Sequence, residues 1–253
     1  MRPHSTTIRG VLTAAAVFAA ALPAAAQRPP VTAQVELVQK QPEAHTASAG
    51  KLPDASNVVV WLVPADDAGR RAAAKVPTRP APQLVQKNKA FEPHILVVQV
   101  GTVVDFPNKD PFFHNVFSLF EGKRFDLGLY EAGTTKSVRF DRAGVSFLFC
   151  NIHPEMSAVV IAVESPYYTL TDRAGRASIA GVPDGAYELR VWCERGLADD
   201  LKGLTRPVTV SDSARALGTI RVAVNPDYRL AHKNKYGQDY VTPASGSPAY
   251  SRP

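Results

Sequence analysis

Short apolar segments separated by glycine and proline run through most of the sequence. Strands are predicted at Val31 to Leu37, Val58 to Val63, Ile95 to Val100, Val103 to Phe106, Ser137 to Phe140, Val145 to Cys150 and Ala158 to Val163. Gly101, Gly133 and Gly144 mark turns between them. No segment keeps an apolar period of 3.6 residues over the length of a helix. The sequence therefore predicts an all-β protein built from sandwiches or barrels.

The strand pattern divides the chain of 253 residues into two units. The expected boundaries are a signal peptide at 1–26, a first β-unit at 27–163, a smaller β-unit at 164–225 and an irregular C-terminal tail at 226–253. Val31 to Val63 is expected to supply the first strands of the first unit.

The N-terminus has the order of a secretory signal peptide. Arg2 and Arg9 precede an apolar run from Val11 to Leu22, and small residues follow up to Ala26. This run is shorter than the roughly 20 residues that span a bilayer, and Pro23 ends it. We therefore expect an exported, periplasmic protein with no membrane span after cleavage.

The charge of the chain is a weak guide to its partners. The formal net charge of +6 falls to +4 when Arg2 and Arg9 are removed. Basic and acidic residues are interspersed, without the Lys/Arg cluster that a phosphate backbone requires. Nucleic acid is therefore not an expected partner.

Four possible metal ligands lie at the ends of predicted strands or in the turns beside them. Alternation places Cys150 at the end of one strand, His153 in the following turn and Met156 at the start of the next strand, and His114 lies 36 residues before Cys150. Two imidazoles, a thiolate and a weak thioether are the donor set of a blue-copper site. Structural zinc sites more often use pairs of cysteines.

Each candidate also has a structural alternative. Two cysteines in an exported chain predict a disulfide by default, which would join Cys150 to Cys193. Cys193 shares a strand face with apolar residues, so a buried free thiol is the competing interpretation. His94 is expected at a strand edge, whereas His45 and His232 lie in polar stretches and are expected to be solvated.

The site segment resembles the cupredoxins. The likeness rests on Cys-x2-His-x2-Met between two strands, on the upstream His114-Asn115 pair and on Phe125-Asp-Leu-Gly128. The short spacing is similar to that of amicyanin, and residues 91–163 also resemble plastocyanin-like proteins associated with methylamine utilisation. This resemblance implies a Greek-key β-sandwich that holds one type 1 copper.

The resemblance also implies a role for each residue. His114, Cys150 and His153 would be equatorial copper ligands and Met156 the axial one. The Asn115 side chain would pin the Cys loop by hydrogen bonds. His153 would reach an apolar surface patch and pass the electron.

The second unit carries a different pattern. Thr171-Asp-x2-Gly175 and Val182-Pro-x-Gly-x-Tyr187 resemble the carboxypeptidase regulatory-like, or transthyretin-like, β-sandwich. Glycine and proline at these turn positions suit tight turns. No catalytic group stands out in this unit, so a packing or docking role is expected.

The expected function is single-electron transfer between redox partners, such as a c-type cytochrome or a dehydrogenase. Copper delivery or storage is the alternative that the sequence leaves open, and a metal-free sandwich is a further one. A copper enzyme is not expected, because the sequence lacks the His-x-His or His-Cys-His groups of additional copper sites.

Overall fold

The computed structural model describes residues 28–39, 54–76, 81–119, 121–225, 227–230 and 232–240. The predicted signal peptide and His45 lie outside these residues. The described strands are β1 (Val31–Gln39), β2 (Val59–Pro64), β3 (Val85–Lys87), β4 (Ala90–Glu92), β5 (Ile95–Gln99), β6 (Val103–Pro107), β7 (His114–Ser118), β8 (Phe125–Tyr130), β9 (Thr135–Arg139), β10 (Gly144–Phe149), β11 (Ser157–Val163), β12 (Tyr168–Leu170), β13 (Arg176–Ile179), β14 (Gly185–Trp192), β15 (Arg206–Val210) and β16 (Ala216–Val224). Two short helices, α1 (Asp67–Ala74) and α2 (Ala198–Gly203), join them. The all-β prediction is confirmed.

The strands of the central sandwich bear the candidate site. A five-stranded sheet has the order β5-β11-β10-β7-β8, and β6 pairs with β9 in a separate two-stranded sheet. Large side chains such as Phe106, Phe140 and Leu148 fill the core of this sandwich. A short hairpin of β3 and β4 precedes β5. The central sandwich therefore runs from β3 to β11.

The first two strands do not join the central sandwich, contrary to the sequence-based expectation. β1 pairs parallel with β16 and antiparallel with β13. β2 lies between β12 and β14. Together these strands and β15 form the terminal sandwich, with sheet orders β13-β1-β16 and β12-β2-β14-β15. A strand's apolar pattern shows that it is buried but does not identify its pairing partner, which explains the wrong assignment.

The two sandwiches share an apolar interface. Alternate residues of β11 point in opposite directions: Ala158 and Val160 face the core of the central sandwich, and Val159 and Ile161 face the terminal sandwich. Val59 of β2 lies in the same interface cluster. Because β11 is covered on both faces, its sequence reads as a continuous apolar run.

The site lies at one end of the five-stranded sheet, where the neighbouring strands β7, β10 and β11 come together. Phe149 at the end of β10 pairs with Ser157 at the start of β11 and with Phe117 of β7. The connection from β10 to β11 therefore lies beside β7. No helix among the described residues is long and apolar enough to cross a membrane.

Candidate metal centre

Residues 150–156, called the site loop, connect β10 to β11. Cys150 directly follows β10 and Met156 directly precedes β11. The Cys150 amide donates to the Met156 carbonyl at 3.2 Å, and the Met156 amide donates to the His153 carbonyl at 3.0 Å. These bonds fold the loop tightly enough to turn the His153 ring back toward Cys150.

Three of the four predicted ligands present their donor atoms to one another. Cys150 Sγ lies 3.8 Å from His114 Nδ1 and 3.6 Å from His153 Nδ1. The donor atoms of the three residues all lie within 4.8 Å of one another. Met156 is fully buried in the core cluster that also contains Cys150. The role of all four as metal ligands stays a prediction.

Asp110 fixes the orientation of the His114 ring, and the sequence analysis did not identify it as part of the site. His114 Nε2 donates to Asp110 Oδ2 at 2.7 Å, so the Nδ1 lone pair is free to face Cys150. The Asp110 carboxylate also accepts the backbone N–H groups of Asn88 at 2.6 Å and Lys89 at 2.9 Å. A carboxylate that holds the other nitrogen of a histidine is a typical support for a metal ligand. The signal in the sequence was an aspartate four residues before the histidine.

The Asp110 carboxylate remains ionised although it is 5 % exposed. Burial alone would raise its pKa, but the hydrogen bonds from Lys89, His114 and Asn88 hold the pKa below its ordinary value. A negative charge is therefore maintained behind His114.

Asn115 contacts both strand β8 and the Cys150 sulfur. Its side-chain Nδ2 donates to Asp126 Oδ1 at 2.7 Å, not to the site loop. Its backbone N–H instead interacts with the Cys150 sulfur, as do the backbone N–H groups of Ile152 and His153. Asn115 Oδ1 is buried without a hydrogen-bond partner among the described residues, so the expected pinning of the site loop by this side chain stays a prediction.

The protonation of His153 suits a ligand that binds as a neutral imidazole. Burial lowers the pKa of His153 to about 4, and the charge of Lys89 acts in the same direction. Burial also raises the pKa of the Cys150 thiol, against the effect of the three backbone N–H groups. A bound metal cation is the kind of partner that converts such a thiol to a thiolate.

The two cysteines are both free and buried. Cys150 belongs to the core of the central sandwich and Cys193 to the core of the terminal sandwich. The disulfide alternative is therefore wrong, and Cys193 fits the interpretation of a small buried apolar residue.

One phenylalanine ring packs against both histidines. The Phe112 ring centroid lies 5.2 Å from that of His114 and 5.6 Å from that of His153. Only 5 % of His153 is exposed, so the expected surface-reaching histidine is almost fully covered. The adjacent Phe113 is 54 % exposed. The enclosed site is largely shielded from water, which strengthens electrostatic interactions within it.

The C-terminal segment 232–240 also reaches the site loop, although the sequence indicated an irregular tail. It contains no strand or helix, yet His232 stacks on Phe149 with ring centroids 3.8 Å apart and an interplanar angle of 20°. The Tyr240 hydroxyl donates to the Cys150 carbonyl at 2.8 Å. His232 is therefore half-buried, and the expectation that it is solvated is wrong. Its polar sequence neighbours gave no signal of this contact.

The donor set fits a copper ion. Two imidazole nitrogens and one sulfur converge in a buried pocket, with a thioether residue in the same core. Two imidazoles and one thiolate with a thioether nearby form the donor set of blue-copper sites. His114, Cys150 and His153 are the residues that would hold it.

Comparisons with known proteins give matches among solved structures. No model of a known protein family matches the sequence, and no curated protein matches it. A copper-containing nitrite reductase from Thermus scotoductus is similar over 33 % of this chain, at 22 % identity and a TM-score of 0.32. The chain spans only 22 % of the length of that reductase.

Two smaller proteins are similar over most of their own length. A purple cupredoxin from Nitrosopumilus maritimus is 24 % identical, with a TM-score of 0.30, 32 % of this chain covered and 99 % of its own. An amicyanin variant in the Cu(I) state is 23 % identical, with a TM-score of 0.32, 36 % of this chain covered and 89 % of its own.

Proposed function

We propose that the protein is an exported type 1, or blue, copper protein of the cupredoxin type that carries single electrons between redox partners. The observation that carries this proposal is the convergence of His114 Nδ1, His153 Nδ1 and Cys150 Sγ within 4.8 Å. Met156, buried beside them in the same core, is the proposed axial ligand. When bound, copper would supply a change between Cu(II) and Cu(I), which accepts or donates one electron.

The residues of the chain hold the donor atoms in one arrangement. Asp110 keeps the proton on His114 Nε2, so that Nδ1 stays available. The two hydrogen bonds across the site loop fix Cys150 and Met156 at adjacent strand ends. A site held in this way changes little between oxidation states, and small reorganisation suits electron transfer.

Burial favours a carrier over the alternative of copper delivery or storage. His114, Cys150 and Met156 are fully buried and His153 nearly so. A delivery protein must hand its metal to a competitor, which requires access to the ligands. A carrier has no such requirement, because the electron crosses the protein while the metal stays in place.

We further propose that the protein is not an enzyme. Among the described residues, one group of His, Cys, Asp or Glu donors converges closely enough for a metal.

We also propose that a redox protein docks near β7. Phe113 directly precedes His114, and Leu129 pairs with Asn115 across β7 and β8. These two apolar side chains are 54 % and 59 % exposed. A c-type cytochrome or a dehydrogenase would use such a small, transient contact surface.

Redox cycling tests this function against delivery. The chain from Gln27 onward is loaded with one equivalent of Cu(II), reduced, exposed to a Cu(I)-selective chelator and then reoxidised. A carrier is expected to return to its starting spectrum through several cycles and to reduce an oxidised c-type cytochrome. Transfer of copper to the chelator on reduction would instead support delivery.

Three finer points remain proposals. The similarity to plastocyanin-like proteins associated with methylamine utilisation suggests a dehydrogenase as the electron donor. We propose that the terminal sandwich is of the transthyretin-like type. It packs against the sheet that carries the site. Export to the periplasm follows from the predicted signal peptide.

A further inference from the structure

The C-terminal segment 232–240 is ordered by its own hydrogen bonds. The Asn234 side-chain oxygen accepts the backbone N–H groups of Tyr236 at 2.9 Å and Gln238 at 3.0 Å. The Asn234 amide donates to the Gln238 carbonyl, and the Gly237 amide donates to the Asn234 carbonyl, both at 2.9 Å. Gly237 has a φ of +77°, which glycine adopts without strain. Residues 234–238 of the segment therefore form a defined turn.

The segment 232–240 makes three hydrogen bonds to the site loop. The Tyr240 hydroxyl donates to the Cys150 carbonyl at 2.8 Å, and the Lys235 amide donates to Asn151 Oδ1 at 3.0 Å. His232 Nε2 donates to the Pro154 carbonyl at 2.9 Å. The contacts are thus spread along the loop from its first residue to its fifth.

The same turn is also attached to the His114 side of the site. Lys235 Nζ lies 2.9 Å from Asp126 Oδ2, and the other oxygen of Asp126 accepts Asn115 Nδ2 at 2.7 Å. Asn115 is the neighbour of His114 in β7. Lys235 therefore joins the site loop, through its amide, to the strand pair that carries the other histidine, through its ammonium group.

We propose that residues 232–240 form a clasp that positions the site loop against β7 and β8 and slows the escape of a bound metal. His232, Lys235 and Tyr240 are its positioning residues. The metal-retention part of this proposal rests on the proposed copper function, whereas the ordering of the loop does not.

A metal bound in a buried site can escape only when the site opens. The ligands are almost inaccessible, so a metal can leave only when the site loop separates from its neighbours. The clasp adds bonds that exist only in the closed state. Loss of one such bond should increase the open population about fivefold.

The test compares Tyr240→Phe with Tyr187→Phe in the chain from Gln27 onward. The Tyr187 hydroxyl also donates to a backbone carbonyl, that of Pro183 at 2.9 Å, but it lies in the terminal sandwich. In metal-free protein, hydrogen exchange of the Cys150 and Met156 amides should accelerate about fivefold in Tyr240→Phe and stay unchanged in Tyr187→Phe. Copper release to a chelator should accelerate by a similar factor in Tyr240→Phe alone.

A second variant keeps the test decisive. His232→Ala removes both the stack on Phe149 and the bond to Pro154, and it should open the loop at least as much. Unchanged loop exchange in both clasp variants, or equal acceleration in Tyr187→Phe, would overturn the clasp. If the unsubstituted chain binds no copper, the proposed function fails, while the exchange data still decide whether the clasp orders the loop.

Discussion

Replacing Asp110 with asparagine should weaken both the fold and the metal site. The carboxylate accepts three N–H groups, from Asn88, Lys89 and His114. Asn88 donates to one oxygen, and Lys89 and His114 donate to the other. An asparagine amide can keep its oxygen toward only one of these two sets, so its NH₂ group faces at least one of these donors.

The magnitude follows from these contacts. One buried donor left without an acceptor costs about 1–3 kcal/mol, and the remaining bonds lose the strengthening given by a charged acceptor. We expect Asp110→Asn to lower the free energy of unfolding of the metal-free protein by about 3 kcal/mol. Copper affinity should fall about 10- to 100-fold, because His114 loses the carboxylate that orients it.

The assay combines urea unfolding with competition for copper against a chelator. Asp141→Asn is the matched control, because Asp141 pairs with Lys123 at 2.9 Å on the surface and its side chain is 53 % exposed. The control should keep the midpoint and the copper affinity of the unsubstituted protein. If Asp110→Asn behaves like this control in both measurements, the carboxylate does not support His114 and the reasoning fails.

Three other perturbations test the fold. Ile161→Ala should cost about 3 kcal/mol in urea unfolding by opening a cavity between the sandwiches, and a cost below 1 kcal/mol would show that they do not pack firmly. Gly175→Ala should lower the free energy of unfolding by at least about 3 kcal/mol, because the added Cβ would lie 2.1 Å from a carbonyl oxygen of β1. Gly133 also has a positive φ but faces open space, so Gly133→Ala should cost about 1 kcal/mol. Equal costs for the two variants would contradict the placement of β1. The hydrogen bond to Glu194 raises the pKa of His94, so the stability it contributes should be complete below about pH 6.5 and lost as pH rises through the raised pKa. Because His94 is 44 % exposed at the side chain, the effect should stay below about 1 kcal/mol, and a Glu194→Gln variant that kept the same pH dependence would disprove this origin.

Local pattern predicted five of the nine strands of the central sandwich, namely β5, β6, β9, β10 and β11. The structure places β5, β6, β10 and β11 within one or two residues of the predicted segments, because alternation and turn residues are local properties. Strands β3, β4, β7 and β8 and helix α2 were not predicted. The proximity of His114, Cys150 and His153 was predicted because the β10–β11 connection and the start of β7 carry distinctive donor residues.

Long-range contacts were the part that the sequence did not reveal. β1 lies between β13 and β16, more than 130 residues away along the chain, and an apolar strand carries no mark of its partner. The clasp likewise depends on contacts of His232 with Phe149 and of Tyr240 with Cys150. Its sequence is polar and without period, so only the three-dimensional arrangement identifies it.

The most direct test of the copper proposal is an optical titration with Cu(II) of the chain from Gln27 onward, beside Cys150→Ser and Cys193→Ser. Both cysteines are free and buried, so the two variants make the same chemical change in different cores. We expect an intense blue colour that saturates at one equivalent in the unsubstituted protein and in Cys193→Ser, bleaches with reductant and is absent in Cys150→Ser. No colour in the unsubstituted protein, or a colour that survives in Cys150→Ser, would contradict the proposed thiolate copper site.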